Sequence, residues 1–296
     1  MQRVAFVTYR EAPHLTVDDA LSVGPLAALG IRVEALPWDD DSADWSPYDA
    51  VVVRSCWNYY LRPTRFAAWL DRLMADGILL ANPPVLLNWN ASKLYLLDLQ
   101  ARGAPVIASV HVPRGADTTL VEVCAQTGWA ELVVKPLVSA DGHATRRLRA
   151  PVSDRDARAF ARLVRERDVL VQRLLPEVAR DGEWSFVFFA GAFSHAALKR
   201  PGAEDFRVQA RYGGTVQPVA APDALVEQAA ALLAQAPAPA VYARVDGCVI
   251  GDQLVLMELE LLEPLLYLAC HPGAPGRFAM AIRRYLDSPT NTAAPS

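Results

Sequence analysis

Four charged residues near the end of the chain stand at spacings that suit metal and phosphate chemistry. Arg244 and Asp246 lie on one predicted β-strand, and Glu258 and Glu260 lie on the next. Alternate residues of a strand share a face, so Glu258 and Glu260 point the same way. Their hard carboxylate oxygens suit Mg²⁺, which takes one or two protein carboxylates and leaves its other positions to phosphates and water.

The loop of this predicted hairpin decides where the Asp246 side chain lies. A two-residue loop would set Asp246 opposite Met257, on the apolar face, whereas a three-residue loop over 251–253 sets it opposite Glu258. We expect the three-residue loop. It brings three carboxylates together, and because like charges that face one another are destabilising, the cluster calls for a cation. The hairpin alone would favour a simpler interpretation, a solvated polar face.

Phosphates need a binding group elsewhere in the chain, because neither GxxxxGK(S/T) nor GxGxxG occurs in the sequence. The basic candidates are Lys93, Lys135, Lys199, Arg200, Arg207 and Arg244. Lys135 ends the apolar run VVKP and precedes a small polar loop over 138–143, whose backbone N–H groups could fold over a phosphate chain. A single lysine at a strand end is more often a solvated charge.

A second polar group follows the apolar run AVVV. Arg54, Ser55 and Asn58 stand beside Trp57 and Tyr59, and loops after the strands of a parallel α/β sheet commonly carry function. An arginine and an amide there could bind a small anionic substrate. Loops also use aromatic residues simply to pack, so both interpretations stay open.

The elements that must position these residues fall into three groups. The first third alternates apolar strands with helices, which predicts a small parallel α/β sheet. Its strands are expected at 3–9, 31–37, 50–55 and 77–83, and its helices near 17–29 and 64–76. A helix over 91–102, ended by Gly103 as a left-handed cap, leads to a second α/β unit. The last third is antiparallel in character, with strands at 184–191, 192–200 and 205–219 before the hairpin.

Bulk properties exclude several classes of function. A chain of 296 residues suggests two or three compact units, and a net charge of −4 gives no electrostatic case for nucleic acid. The four cysteines show no CxxC spacing, which indicates reduced structural thiols. We expect no membrane span and no signal peptide, hence a cytoplasmic protein, with a disordered tail at 289–296.

Taken together and in this order, the segments resemble the ATP-grasp superfamily of carboxylate–amine ligases, from about residue 82 to the terminal helix. The resemblance is carried by NWNASKLYLLDL, VVKP, HAALKRP, DFRVQARYGG and RVDG…MELELLEP. It implies an α/β fold that is α+β in its C-terminal part. Residues 1–108 would form an N-terminal α/β domain, 109–171 a lid, and 172–288 a catalytic unit with an antiparallel sheet.

The resemblance also implies residue roles. The residues implied to bind ATP are Lys93, Lys135, Ser139, Gly142, Gln172, Leu174 and Glu177, with Glu183 as the alternative to Glu177 at the ribose. Those implied to act in the chemistry are Lys199, Arg207 and Arg244. Those implied to hold two Mg²⁺ ions are Asp246, Glu258 and Glu260, although relatives commonly have asparagine in place of Glu260. Those expected to bind the substrate are Arg54, Ser55, Asn58 and Gly214.

The implied reaction explains why these residue types are needed. A carboxylate must acquire a leaving group before an amine can attack it, and the γ-phosphoryl group of ATP supplies one. That step needs in-line positioning and cations that absorb charge. Because water would hydrolyse the acyl phosphate, a lid is also required.

Within the superfamily, VRSCWNYYLRP and GEWSFVFFAGAFSHAALKRP are similar to a compact bacterial branch whose characterised activity is the D-cycloserine-forming cyclo-ligase reaction. There O-ureido-D-serine closes on its own carboxylate. Two alternatives stay open: an intermolecular ligase that joins an amino acid to a separate amine, and a nucleotide-binding regulatory module without catalysis. We expect a small amino-acid-like substrate, no nucleic-acid or membrane partner, and a homodimer.

Overall fold

The computed structural model describes residues 1–140, 142–203 and 205–288, so the predicted disordered tail, 289–296, lies outside the described residues. In these ranges the strands are β1 (Gln2–Thr8), β2 (Ile31–Pro37), β3 (Ala50–Val53), β4 (Leu80–Ala81), β5 (Ser109–Val112), β6 (Glu131–Pro136), β7 (Arg146–Arg149), β8 (Val169–Arg173), β9 (Glu183–Phe189), β10 (Ala192–Arg200), β11 (Thr215–Val219), β12 (Tyr242–Ile250) and β13 (Gln253–Glu260).

The helices of the same ranges are α1 (Val17–Ala20), α2 (Val23–Ala28), α3 (Pro63–Ala75), α4 (Pro84–Asn90), α5 (Tyr95–Ala101), α6 (Leu120–Thr127), α7 (Asp154–Glu166), α8 (Pro176–Arg180), α9 (Asp223–Leu233) and α10 (Ala274–Leu286). Short 3-10 turns lie at Tyr59–Leu61, Ala210–Tyr212 and Leu268–Cys270. In the part of the chain that the structure describes, no helix has the length and apolar character needed to cross a membrane.

The first third forms a parallel sheet in the order β2-β1-β3-β4, as its alternation of strands and helices predicted. The sheet is covered on both faces. Val52 packs in one hydrophobic cluster with Phe278 of α10, and Val51 packs in another with Trp69 of α3. A parallel strand buried on both faces needs apolar side chains at every position, which explains the continuous run AVVV.

Two predicted helices differ in extent from those in the structure. The helix expected near 17–29 is the pair α1 and α2, and Pro25 lies in the first turn of α2, where a missing N–H is tolerated. The helix expected over 91–102 begins only at Tyr95 and is closed by Gly103, whose φ is +85°. Lys93 therefore lies in the turn before α5, and its backbone N–H donates to Leu137 O at 3.1 Å.

The middle of the chain forms an antiparallel sheet in the order β5-β8-β6-β7, which shares a hydrophobic cluster with α6 and α7. Phe160 and Val164, four residues apart on α7, supply the buried stripe of that amphipathic helix. β8 pairs with β6 as far as Arg173, two residues beyond the predicted end of the lid at 171. The division of the chain into domains at 108 and 171 stays a prediction.

The C-terminal part forms an antiparallel sheet in the order β11-β10-β9-β12-β13. The strand predicted over 205–219 begins only at Thr215, because residues 205–214 form a loop that folds back on itself. A Cβ atom at Gly214 would stand 2.1 Å from Val208 O, so only glycine fits there. Gly214, predicted to bind substrate, instead permits this close approach of backbone to backbone.

β12 and β13 form the hairpin that carries the candidate metal ligands. Its loop contains two residues, 251–252, so the predicted three-residue loop is wrong. A β-bulge shifts the register between Asp246 and Gly247, because Met257 is an extra residue on β13. Asp246 therefore stands opposite Glu258, as predicted, although the bulge and not the loop is the reason.

Buried asparagines join the first third of the chain to this hairpin. Asn90, at the end of α4, donates to Leu259 O at 2.6 Å and accepts from the backbone N–H groups of Leu261 and Leu262. Asn82 makes a similar set of bonds to β12 and to the segment after β13. These bonds satisfy backbone groups that would otherwise be buried without partners.

We expect Asn90→Ala to lower the free energy of unfolding by about 3 kcal/mol, because each buried backbone group left unpaired costs roughly 1–3 kcal/mol. Urea unfolding followed by circular dichroism measures the change. Asn88→Ala, at an exposed position of the same helix, is the matched control and should cost less than about 0.5 kcal/mol. Equal losses in the two variants would contradict the assignment.

His195 of β10 is a buried histidine with a structural role. Its ring nitrogens lie 2.8 Å from Ser194 Oγ and 2.9 Å from Leu266 O. Burial lowers the pKa of His195 to about 4, an effect that the carbonyl of Leu266 only partly opposes. The folded protein therefore keeps this ring neutral at ordinary pH.

The stability of the protein is expected to fall as the pH drops from about 6.5 to about 4, because the unfolded state, with an ordinary histidine pKa, then binds the proton more tightly. Below pH 4, this effect of His195 lowers the free energy of unfolding by about 3 kcal/mol. His195→Gln should flatten this part of the profile of unfolding free energy against pH. A variant profile as steep as that of the wild type would refute the prediction.

Candidate active site

A cavity of about 540 Å³ lies between the middle sheet and the C-terminal sheet and gathers most of the predicted site residues. Its volume is within the range of roughly 300–1,000 Å³ typical of sites for small molecules and cofactors. The predicted residues that line it are Lys93, Lys135, Ser139, Gly142, Gln172, Leu174, Lys199, Arg207, Arg244, Asp246, Glu258 and Glu260. The predicted residues that do not line it are Arg54, Ser55, Asn58, Glu177 and Gly214.

Asp246 is a fully bonded carboxylate in the wall of the cavity. It accepts hydrogen bonds from Ser185 Oγ at 2.6 Å, Lys199 Nζ at 2.9 Å and Arg244 Nη2 at 2.8 Å. Burial alone would raise its pKa, but Arg244 and Lys199 outweigh that effect and hold the pKa of Asp246 well below its usual value. Asp246 therefore stays charged and fixes both cations beside the cavity.

Glu258 and Glu260 lie on the neighbouring strand, and each has a cation of its own. Glu258 Oε1 is 3.0 Å from Lys93 Nζ, and Glu260 bonds to Arg244. Burial opposes the charge of Glu258, but Lys93 and Lys135 prevail and lower its pKa. Burial raises the pKa of Glu260 to about 7, because the repulsion of neighbouring acids adds to it and offsets the attraction of Arg244.

Lys135, at the end of β6, is a cavity lysine without an ion-pair partner among the described residues. Burial lowers the pKa of its ammonium group, and Glu258 opposes that shift. Lys93 is already engaged, since it also donates to Ser139 O at 2.5 Å. An unpaired lysine is available to an anion, so Lys135 suits phosphate better than the other lysines of the cavity do.

The metal-binding role of the three acids stays a prediction. Within residues 1–140, 142–203 and 205–288, no three His, Cys, Asp or Glu side chains are placed as a ready-made metal cage. The side chains of Glu258 and Glu260 keep 29% and 25% exposure, whereas Asp246 keeps 2%. Hard oxygens beside an unpaired lysine fit Mg²⁺, which needs few protein ligands when phosphate supplies the rest. Glu258 and Glu260 are the residues best placed to hold it.

An apolar slot adjoins the charged part of the cavity. It is lined by Ile107, Leu174, Leu175, Val178 and Met257. Gln172, predicted in the adenine hinge, also lines the cavity, but its Nε2–H is used by Ser109 Oγ at 2.9 Å. A slot of this composition can bury a flat ring.

The two acids predicted as alternatives at the ribose lie in different places. Glu177, on the short helix α8, does not line the cavity, although its neighbours Pro176 and Val178 do. The alternative, Glu183, lines it and lies 2.5 Å from Lys199. Burial raises the pKa of Glu183, and Lys199 opposes that shift. Of the two alternatives, Glu183 is therefore the acid that lies at the cavity, where it is paired with Lys199.

Arg54 and Asn58 are structural and do not reach the cavity, contrary to the prediction. Arg54 is 2% exposed, pairs with Asp19 at 2.8 Å and donates to Pro264 O. Asn58 donates to Asp39 and accepts from the Trp38 indole. Buried charges and amides need such partners, and these bonds hold both side chains away from the cavity. Ser55, buried beside Arg54, lies outside the cavity as well.

The same loop nevertheless contributes to the cavity through its aromatic residues. Trp57 and Tyr59 line it, together with Glu263 and Tyr267 from the segment after β13. Sequence reasoning named Trp57 and Tyr59 only as neighbours of Arg54 and Asn58, and it missed Glu263 and Tyr267. A lone glutamate in the apolar run LLEPLLYL was the available signal for Glu263, because an acid in such surroundings needs a reason to be there.

Two loops close over the cavity from opposite sides. Arg207, in the loop over 205–214, pairs with Asp205 at 2.6 Å and lies 3.3 Å from the centre of the Tyr212 ring. A Cβ atom at Gly142 would stand 3.3 Å from the Arg207 side chain. The loop after β6 thus packs against the Arg207 loop, and Arg207 must leave Asp205 to bind an anion in the cavity.

Comparison with solved structures defines the class of protein. D-alanine–D-alanine ligase from Bacillus anthracis, complexed with ATP, matches with a TM-score of 0.68 and 16% identity over 97% of this chain and 98% of that chain. The ATP-grasp ligase PsnB, complexed with Mg and ADP, matches with a TM-score of 0.64 and 14% identity over 96% and 98%. The fold is that of an ATP-grasp ligase, which confirms the predicted fold class, and ligases of this fold bind ATP and magnesium.

Closer matches define the family. The model for the N-terminal domain of D-cycloserine synthetase DcsG matches residues 4–82. The cycloserine biosynthesis protein DcsG of Streptomyces lavendulae is 33% identical over 273 residues, which cover 87% of this chain and 90% of that protein. The crystal structure of D-cycloserine synthetase DcsG matches with a TM-score of 0.86 and 30% identity over 96% of this chain and 100% of that chain. The chain belongs to the DcsG family, and it is an ATP-dependent ligase that forms C–N bonds.

Proposed function

We propose that the protein is an ATP-dependent cyclo-ligase that converts O-ureido-D-serine into D-cycloserine. The observation that carries the proposal is the 33% identity with DcsG over 87% of the chain. The cavity supports it, because its lysines, arginines and carboxylates are the groups that carboxylate activation requires.

In the first step, a carboxylate oxygen of the substrate bonds to the γ-phosphorus of ATP, and the bond to ADP breaks. Lys135, the lysine without an acid, would bind the phosphates. Lys199 and Arg244, fixed by Asp246, would face the charge of the transferring group, so their positions need not change during the step. Bound Mg²⁺ would neutralise charge on the phosphates.

In the second step, the nitrogen next to the side-chain oxygen attacks the acyl carbon, and phosphate leaves. Arg244 would stabilise the tetrahedral oxyanion, and Arg207 is a second candidate once it leaves Asp205. Because the ring nitrogen of D-cycloserine carries hydrogen, the carbamoyl group must also depart, with water, as carbon dioxide and ammonia. The ring closes without a second amine.

The finer features of the proposal follow from the same residues. Two Mg²⁺ ions would be held by Glu258 and Glu260, with Asp246 as a further ligand if its own bonds are rearranged. The sheet of β5 to β8 would act as the lid over the predicted range 109–171, between the N-terminal domain at 1–108 and the catalytic unit at 172–288. We also propose a homodimer in the cytoplasm.

The test is to incubate purified protein with ATP, Mg²⁺ and O-ureido-D-serine. The expected result is equal release of ADP, phosphate and ammonia, with a product of the mass of D-cycloserine. A requirement for an added amine would favour an intermolecular ligase, and the absence of ADP release would favour a regulatory module. O-ureido-L-serine is the matched control for stereochemistry.

A further inference from the structure

Glu263 is a cavity carboxylate without a cation. Four other acids that line the cavity are ion-paired, in the pairs Glu183–Lys199 (2.5 Å), Asp246–Lys199 (2.9 Å), Glu258–Lys93 (3.0 Å) and Glu260–Arg244. In the part of the chain that the structure describes, the Glu263 carboxylate has no hydrogen bond or ion pair. Only its backbone oxygen is used, by the Trp57 indole N–H at 3.1 Å.

The position of Glu263 makes this lack of a partner costly. Burial, followed by the repulsion of Glu260, raises the pKa of Glu263 well above its ordinary value. Lys93 and Arg244 are the cations that act on it most strongly, and both already have an acid of their own. A buried carboxylate needs a cation to stay charged, and here the cation must come with a ligand.

We propose that Glu263 binds the α-ammonium group of the amino-acid substrate, an inference that rests on the proposed function. The ammonium group of an amino acid is one carbon away from its carboxylate. It must therefore lie beside the groups that activate the carboxylate. Glu263 lines the same cavity as Arg244, which donates to Leu265 O, two residues further along the chain, at 2.7 Å. Trp57 and Tyr59 line the cavity next to Glu263, and aromatic faces favour an ammonium group.

This assignment gives Glu263 a role in specificity. A carboxylic acid without an amino group would leave the Glu263 carboxylate without its cation, and sites built to bond a polar group reject analogues that lack it. The enzyme would then activate amino acids and discriminate against simple carboxylic acids that are equally able to accept a phosphoryl group.

The test compares O-ureido-D-serine with its deamino analogue, 3-(ureidooxy)propanoic acid, in the rate of ADP release. Wild-type kcat/KM should be about 100-fold or more lower for the analogue. In Glu263→Gln, the KM for O-ureido-D-serine should rise about 100-fold, the preference over the analogue should fall below about tenfold, and the KM for ATP should stay unchanged. Glu263→Asp, which keeps the charge, should recover part of the preference.

Three results would overturn the assignment. The first is a variant that keeps the full preference for the amino compound. The second is a loss of kcat with unchanged KM, which would indicate proton transfer. The third is a rise in the Mg²⁺ requirement like that of Glu258→Gln, which would make Glu263 a metal ligand.

Failure of the proposed function gives a different result. If O-ureido-D-serine causes no ADP release from the wild type, that function fails. An amino-acid panel and the matching deamino acids then test Glu263 alone, by titration calorimetry of the protein with ADP and Mg²⁺. Equal affinity of wild type and Glu263→Gln for every amino acid of the panel would overturn the inference.

Discussion

Arg244→Ala is expected to lower kcat by about 10³-fold or more while the Kd of ATP changes by about threefold at most. Asp246 and Glu260 hold the guanidinium at the cavity, where, in the proposed role, it would meet charge that develops only during phosphoryl transfer and acyl attack. A group that acts on the transition state alone changes kcat and leaves substrate binding nearly unaltered. Single-turnover ADP release and calorimetric ATP binding measure the two quantities separately.

Two further variants make this result specific. Arg244→Lys keeps the charge but loses the two-pronged guanidinium that Asp246 and Glu260 share, so its rate should fall between those of the wild type and Arg244→Ala. Arg155→Ala, at an exposed position of α7, is the matched control and should turn over normally. A loss confined to ATP affinity would contradict the role assigned to Arg244.

Glu258→Gln is expected to lower turnover by about 100-fold or more at millimolar Mg²⁺ and to raise the Mg²⁺ concentration needed for half-maximal rate. An amide has the shape of the carboxylate but lacks its charge, so it is a weaker ligand for a hard cation. The substitution also removes the anionic partner of Lys93. Initial rates measured against Mg²⁺ concentration, at saturating ATP, give both quantities.

Asp252→Asn is the matched control for this experiment. Asp252 is an exposed acid in the loop of the same hairpin, so its charge is lost without any change in the cavity. Its Mg²⁺ dependence should match that of the wild type. If Glu258→Gln behaves in the same way as this control, Glu258 is not a metal ligand.

The parallel sheet and the cavity lysines could be predicted because their signals are local. A strand buried on both faces needs an unbroken apolar run, and AVVV provides it. Lys135 ends such a run, so the strand itself carries it to the site. The alternation of residues predicted the strands β12 and β13, and Asp246 faces Glu258 as predicted, although a bulge rather than the predicted loop produces this pairing.

The predictions failed where contacts between distant parts of the chain determine the local structure. A bulge at Met257 and a two-residue loop give the same pairing as a three-residue loop, and alternation alone cannot distinguish them. Arg54 is hydrogen-bonded to Asp19, which lies thirty-five positions earlier in the chain. The residues next to Arg54 in the sequence therefore did not indicate this partner. Glu263 was not predicted because the sequence does not show which cations lie near it. Only the folded cavity shows that, among the described residues, its carboxylate has no ion-pair partner.

The bulge at Met257 also bears on the chemical durability of the enzyme. Met257 is the extra residue that breaks the alternation of β13. Its thioether therefore lines the apolar slot, and the next residue, Glu258, lines the same cavity. Peroxide that enters the slot would convert this sulfur into a polar sulfoxide. A bound nucleotide would shield it, so the protein should lose activity to oxidants fastest when it is stored without nucleotide.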